Sequence, residues 1–253
     1  MSGIMTTLIS RETTPLTILG AGYVGQALLR RYPAAVATRR RATASMPAFD
    51  LHDSSTWDTP SLAQRAIVWT FPAEPVARVQ SFYETHLKKA AGLIVLGSTS
   101  AYLANEGAPP PVMPVTERTP LDLTQPRVQG EEWLRRQGAT VLQLAGIFGP
   151  GRDPADWLRK GLIRDGARLV NLIHVDDIIA VIVHLLAHPM PGERINVANG
   201  EPLPWRELAT RLRQAGRLPA DFTLPETRSG EHGKHIDNGR LCRLLPDHDF
   251  QRP

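Results

Sequence analysis

Apolar positions along the chain come in short continuous runs, separated by stretches in which they recur every three or four residues. The first run, Leu16-Thr17-Ile18-Leu19, is short, mostly apolar and partly β-branched, as a buried parallel strand should be. Residues 24–31 follow, rich in helix formers and ending on Arg30 and Arg31, which suit the negative end of a helix dipole. The alternation continues. Further strands are predicted at 35–38, 49–51, 66–70, 93–96 and 140–144. Helices are predicted at 76–89, with Val76, Val79, Tyr83 and Leu87 on the buried stripe, and at 128–137. Strands alternating with helices predict an α/β fold around a doubly wound parallel sheet.

From Ala145 the texture changes. Gly146-Ile147-Phe148-Gly149-Pro150-Gly151-Arg152 reads as a loop. A short strand is expected at 169–175, with Asp176 or Asp177 capping an apolar helix that ends near Leu186, then a strand at 194–197 and a helix at 205–215. With Gly20, Gly22 and Gly25 at G-x-G-x-x-G spacing between the first strand and helix, the expected organisation is a dinucleotide-binding Rossmann domain over 1–145 and a small C-terminal α/β substrate subdomain over 146–253, the two interleaved. The proline-rich stretch 109–126 is too long and irregular for a connector and suits a functional loop over a site.

The first strand–helix junction carries chemistry. Gly20, Gly22 and Gly25 stand at G-x-G-x-x-G spacing, in Gly20-Ala21-Gly22-Tyr23-Val24-Gly25. Gly20 permits the tight turn, Gly22 lets backbone approach a pyrophosphate, and Gly25 lets helix and strand pack closely. The free N–H groups of the helix start then face an anion. The motif alone is weak; between a strand and a helix it is strong. At the end of the second strand, where such folds meet the adenine ribose, Arg39-Arg40-Arg41 appears with no acidic residue beside it. An arginine there accommodates a 2′-phosphate, so NADP is expected rather than NAD; a solvated basic loop is the competing explanation. Asp50 and Leu51 fall near the adenine, and Thr70 and Phe71 at the end of the next strand.

Composition excludes several classes. A pI near 9.6 invites nucleic acid. However, the formal charge is only +4, and the 29 basic residues are scattered and mostly arginine, so nucleic acid is not expected as a partner. One cysteine, Cys242, rules out an internal disulfide and suits a reducing compartment. The longest apolar run, 178–186, is too short to span a bilayer. With no basic start followed by an apolar core, no secretory signal is read, and a cytoplasmic location without a membrane partner is expected. No metal-ligand spacing occurs, and His174 reads as structural. His232, Lys234 and His235 read as surface. The assembly is left open between monomer and homodimer.

Taken together, the chain resembles the extended short-chain dehydrogenase/reductase superfamily in its NAD(P)-dependent epimerase/dehydratase branch, and within it the atypical members. The resemblance covers nearly the whole chain from Leu16. It rests on the glycine motif, on Gly97-Ser98-Thr99-Ser100-Ala101-Tyr102, on Leu144-Ala145-Gly146-Ile147-Phe148-Gly149-Pro150-Gly151-Arg152, on Ile173-His174-Val175-Asp176-Asp177 and on Ile195-Asn196-Val197-Ala198-Asn199-Gly200. It implies a nicotinamide cofactor and a small-molecule substrate. It also implies a Ser or Thr at the end of one strand and a Tyr-x-x-x-Lys on the next helix. Ser98 fills the first place. Counting back from Gly130-Glu131, the tyrosine falls on Leu123 and the lysine on Arg127; no tyrosine follows Tyr102 in the chain. The acid is therefore missing. Ser98, Arg127 and Tyr102 are the candidate catalytic residues. The cofactor candidates are Gly20, Gly22, Tyr23, Val24, Gly25, Arg39, Asp50, Leu51, Thr70, Phe71 and Ser98; Thr99, Gly146, Ile147, Phe148 and Arg152 are expected to face substrate. The expected function is an NADP-linked oxidoreductase, epimerase or dehydratase on a small polar molecule. The competing one is a nucleotide-binding sensor or scaffold that kept the cofactor site and lost the chemistry.

Overall fold

The computed structural model describes residues 14–58, 62–103, 113–225 and 232–253. Residues 109–112 of the proline-rich stretch lie outside them. In chain order the elements are β1 (Leu16–Leu19), α1 (Tyr23–Arg31), β2 (Val36–Ala37), β3 (Ala66–Trp69), α2 (Val76–Phe82), β4 (Gly92–Ser98), β5 (Pro114–Val115), α3 (Pro126–Arg136), β6 (Thr140–Leu144) and β7 (Gly146–Phe148). There follow α4 (Pro154–Arg159), β8 (Leu169–Val170), β9 (Leu172–His174), α5 (Val175–Ala187), β10 (Arg194–Val197), β11 (Leu203–Pro204), α6 (Trp205–Gln214), β12 (His235–Ile236) and α7 (Gly239–Leu244).

Six strands form one parallel sheet in the order β10-β6-β4-β3-β1-β2. The period of two along each strand sorts side chains to two faces. Leu16, Ile18, Val68, Ile94, Leu96, Leu142 and Leu144 join α1 and α5 on one side. Leu19, Ile67, Trp69, Val95 and Val141 join α2 and α3 on the other. This is the predicted doubly wound sheet. A third cluster, built from Phe148, α4, α6 and the short β8/β11 pair, fills the smaller C-terminal part. That part is not a clean second half, because α5 packs on α1 and β10 returns to the main sheet beside β6.

Several local expectations are corrected. Residues 49–51 form no sheet strand. Phe49 instead drives its ring into an aromatic cluster with Phe82 (centroids 4.9 Å apart) and Phe71 (5.9 Å). The backbone beside it is held by a Trp57 Nε1 donation to Asp50 O at 3.1 Å and by Phe49 N donating to Arg39 O. Aromatic burial, not ladder pairing, sets this segment. The helix after β3 slips into a π turn at Tyr83–Leu87, with Lys88 N donating to Tyr83 O. Val79 and Phe82 are buried and Tyr83 only half-buried, and the wider turn keeps Leu87, five positions after Phe82, on the buried face. The strand expected at 169–175 is two strands, β8 and β9. The cap of α5 is His174, whose Nδ1 accepts from Asp176 N at 3.2 Å, rather than either aspartate. Asp177 is buried and accepts from Gln251 N at 2.9 Å, with His248 Nε2 also 2.9 Å away, pinning the C-terminal segment to α5. The expected loop at 146–152 begins as a strand, β7, paired in parallel with β9.

Candidate functional site

The chain leaves β1 toward β2 on one side and crosses to β3 on the other, so the sheet's topological switch point lies between β1 and β3. Ligands bind in such crevices beyond the strand carboxyl ends. A groove of about 590 Å³ opens there, lined by the glycine turn, by Arg39–Thr43, by Phe49–His52 and by Phe71, Pro72 and Glu74.

Each glycine has a separate task. Gly20 takes φ +96°, and a Cβ on it would stand 2.8 Å from Thr70 Oγ1 and 2.9 Å from Phe71. A Cβ on Gly25 would stand 2.2 Å from Gly20 O. On Gly22 it would meet nothing within 4 Å, so that position faces open space. Gly20 and Ala21 do not spend their N–H groups on a ligand: Gly20 N donates to Thr38 Oγ1 at 3.1 Å and Ala21 N to Thr38 O at 2.7 Å. The free donors are those of the first α1 turn. No side chain caps it and no acidic residue lies in it. An uncapped helix start at a switch point is an anion site. Val24 contributes only backbone to it, its side chain being buried in the core. Tyr23 donates to Pro150 O at 3.0 Å and carries the Arg152 guanidinium 4.4 Å from its ring centre.

Across the groove, after β2, Arg39 is fixed at both backbone ends, its N donating to Pro47 O and its O accepting from Phe49 N. Its Nε is buried and, among the described residues, has no partner. Arg40 Nε lies 3.5 Å from Asp50 Oδ2. Asp50 is thus occupied by Arg40 and by His52 N, which donates to its Oδ1. Leu51, buried, and Phe71 both line the groove. Thr70 does not face the groove with its hydroxyl, which donates back to Gly20 O at 2.5 Å. It holds the glycine turn.

At the other end, β4 delivers Ser98. Its Oγ accepts from Ser100 N at 3.3 Å and lies 3.2 Å from Ser100 Oγ. Arg127, on the first turn of α3, donates from Nη2 to Ser100 Oγ at 3.0 Å. The structure therefore brings Ser98 and Arg127 together, with Ser100 between them, a residue the sequence reading passed over. Tyr102 is removed from this group. Its side chain is buried, its hydroxyl donates to Asn196 Oδ1 at 2.5 Å, and burial raises its pKa. It is a core tyrosine, not an acid that swings in. Leu123 stands exposed on the turn before α3.

Lys234 is another correction. It is half-buried rather than a surface residue, and its Nζ donates to Tyr102 O at 2.8 Å and Thr99 O at 3.3 Å. It ties the C-terminal segment to the turn that carries Ser98. No local pattern could have found it, since its partners lie more than 130 residues away in the chain. His232 is paired with Asp165 at 3.3 Å, its side chain mostly buried.

On the expected substrate side, Gly146 is exposed, Ile147 half-buried and Phe148 buried in the third core cluster. Arg152 sits on the tight Gly149–Arg152 turn, exposed and stacked on Tyr23. Exposed stacking of this kind contributes about 0.5–1 kcal/mol. Arg152→Ala is therefore expected to melt within about 3 °C of wild type, while binding of an anionic substrate weakens. A larger fall in melting temperature would mark Arg152 as a structural residue. Among the described residues, no three His, Cys, Asp or Glu side chains gather as a metal site, and no helix is long and apolar enough to cross a membrane.

No protein-family model matches the chain. It is 29% identical over 202 residues to Protein YeeZ of Escherichia coli K12, spanning 74% of this chain and 72% of that protein. It is 34% identical over 137 residues to the 2′-dehydrokanamycin reductase of Streptomyces kanamyceticus, 46% of this chain and 39% of that one. A putative NAD-dependent epimerase/dehydratase from Methylobacillus flagellatus superposes with a TM-score of 0.70 at 22% identity, over 92% of this chain and 91% of that one. A short-chain dehydrogenase/reductase superfamily protein from Agrobacterium tumefaciens, solved with bound NAD, superposes with a TM-score of 0.71 at 17% identity, over 92% and 91%. The fold is the one these proteins share.

Proposed function

We propose that this chain, with the fold of the epimerase/dehydratase and short-chain dehydrogenase/reductase proteins, is an NADP-linked oxidoreductase, epimerase or dehydratase acting on a small polar molecule. The observation that carries the reading is the uncapped start of α1 under an open Gly22, at the switch point and in the same groove as Arg39. The residues present fit a dinucleotide. The first-turn N–H groups of α1 would hold its pyrophosphate. The unpartnered Arg39 Nε is suited to a 2′-phosphate, with Arg41 nearby in the same groove wall. Leu51 and Phe71 offer apolar walls for the adenine. When bound, the nicotinamide supplies or accepts hydride. Within the chain, Ser98 offers a hydroxyl to polarise a substrate carbonyl, and Arg127 a fixed positive charge for ribose oxygens or developing negative charge. Thr99, Arg152 and the exposed backbone of Gly146 lie on the side expected to receive substrate.

The test is nucleotide fluorescence titration. NADPH is expected to bind about 10–100-fold tighter than NADH, the range of one or two charge-assisted hydrogen bonds. Arg39→Ala should bring the two affinities together. Equal affinities in wild type would overturn the NADP assignment.

A second reading, a cofactor-binding sensor without turnover, is favoured by one observation: the Tyr102 hydroxyl is spent in the core and Leu123 offers no proton. A general acid contributes about 10²–10⁴-fold. Leu123→Tyr that raises reduction of a simple carbonyl compound would support the enzyme; bound cofactor with no turnover in either form would support the sensor.

A further inference from the structure

We propose that Glu131 is a positioning residue of this site: buried behind the end of β4, it holds Arg127 and, through Arg127, the Ser100 and Ser98 hydroxyls in one polar chain. The proposal rests on the reading of the β4 end as the reacting end of the site.

The geometry is continuous. Glu131 lies on the inner face of α3 at 2% exposure. Gly97 makes room for it: a Cβ there would stand 2.6 Å from Glu131 Oε2 and 2.7 Å from Gln143 Oε1. Gly130 lets α3 itself lie close to the chain after β3, since a Cβ on it would stand 1.8 Å from Ala73 O. The carboxyl is therefore let in against β4 by the absence of a side chain at Gly97. Gln143 Nε2 donates to Glu131 Oε2 at 3.2 Å. Glu131 Oε1 has no hydrogen bond among the described residues, but Arg127 Nε stands 3.3 Å from it. From Arg127 the path runs through Nη2 to Ser100 Oγ at 3.0 Å, and on to Ser98 Oγ at 3.2 Å.

A buried ion pair is weak evidence for stability, since apolar packing serves a core as well or better. Here the pair reaches from the core to the hydroxyl at the strand end, which apolar packing could not do. The carboxyl is also poised. Burial pushes it up to about 7, against the pull of Arg127 on its own helix, Gln143 on β6 and Arg194 on β10, while Glu74 after β3 pushes the same way as burial. Above neutral pH Glu131 is an anion and anchors Arg127; below it the proton cancels the charge and Arg127 keeps only Ser100.

The experiment follows arginine Nε–H signals by NMR in the free wild-type protein from pH 5.5 to 8.5. The Arg127 signal is identified by its disappearance in Arg127→Lys. It is expected to shift with a midpoint near 7, and to stay flat in Glu131→Gln. In parallel, NADPH affinity of Glu131→Gln relative to wild type is measured at pH 6 and pH 8. A loss of about 5-fold at pH 8 and little loss at pH 6 is expected. Added to Arg127→Ala, Glu131→Gln should have no further effect. A purely structural carboxyl would lower melting temperature without moving these readouts. A flat Arg127 signal in wild type, or the same affinity ratio at both pH values, overturns the proposal. If wild type binds neither NADPH nor NADH, the functional reading fails, and the ligand-free titration still decides the link between Glu131 and Arg127.

Discussion

Gly22→Val is expected to abolish dinucleotide binding, with a loss of about 100-fold or more, and to leave folding untouched. The backbone at Gly22 is extended at negative φ, with φ −75° and ψ −156°, so the substitution does not meet the left-handed strain it would meet at Gly20. A Cβ there meets nothing within 4 Å, so nothing in the protein is displaced. The side chain instead fills the approach to the free N–H groups of α1. Gly25→Ala is the opposite case. Its Cβ would stand 2.2 Å from Gly20 O, a backbone atom that cannot rotate away. Helix and strand must separate, and overpacking of this kind costs about 1–3 kcal/mol, or about 3–10 °C in a chain of this size. Thermal melts and nucleotide titration of the two variants give crossed results if the turn is built as described. A Gly22→Val protein that melts far below wild type would show that the open space is not open.

Glu131→Gln is expected to raise the melting temperature at pH 8 and to leave it nearly unchanged at pH 5. A carboxyl raised from 4.5 to about 7 holds its proton more tightly folded than unfolded. Its favourable contribution is complete below about pH 4.5 and is lost as pH rises through 7, where the buried anion costs about 3 kcal/mol. Glutamine keeps the neutral shape and avoids that cost. Part of the gain is offset by the lost Arg127 contact, so a rise of about 5 °C at pH 8 is expected. Equal shifts at pH 5 and pH 8 would contradict the burial that sets this carboxyl. The same substitution is expected to weaken cofactor binding at pH 8, so the site trades stability for placement of Arg127.

The sheet was readable because β1, β3, β4 and β6 are short apolar runs whose neighbours are strands of the same kind, and local pattern decides such strands. The glycine turn was readable because its three positions have local causes. What escaped the pattern depends on distant partners. Residues 49–51 look like a strand, but Phe49 finds Phe82 and Phe71, and Trp57 takes the Asp50 carbonyl. Tyr102 looked reachable until Asn196, on β10, took its hydroxyl. Thr70 looked like a groove residue, but its hydroxyl serves the turn after β1. Lys234 and Glu131 carry no signature of their own, because their meaning lies in which strand end they lie against.

Thr38 joins two parts of the groove that are separate in the sequence. Its carbonyl and hydroxyl accept the N–H groups of Ala21 and Gly20, and the next residue is Arg39. The glycine turn and the segment that begins at Arg39 are thus tied to one residue. For coenzyme redesign this sets a cut point. On the proposed NADP reading, the segment from Arg39 onward is the cassette to exchange for a preference toward NADH, while Thr38 has to remain as the fastener. A cassette that begins one residue earlier would loosen the turn it was meant to leave alone.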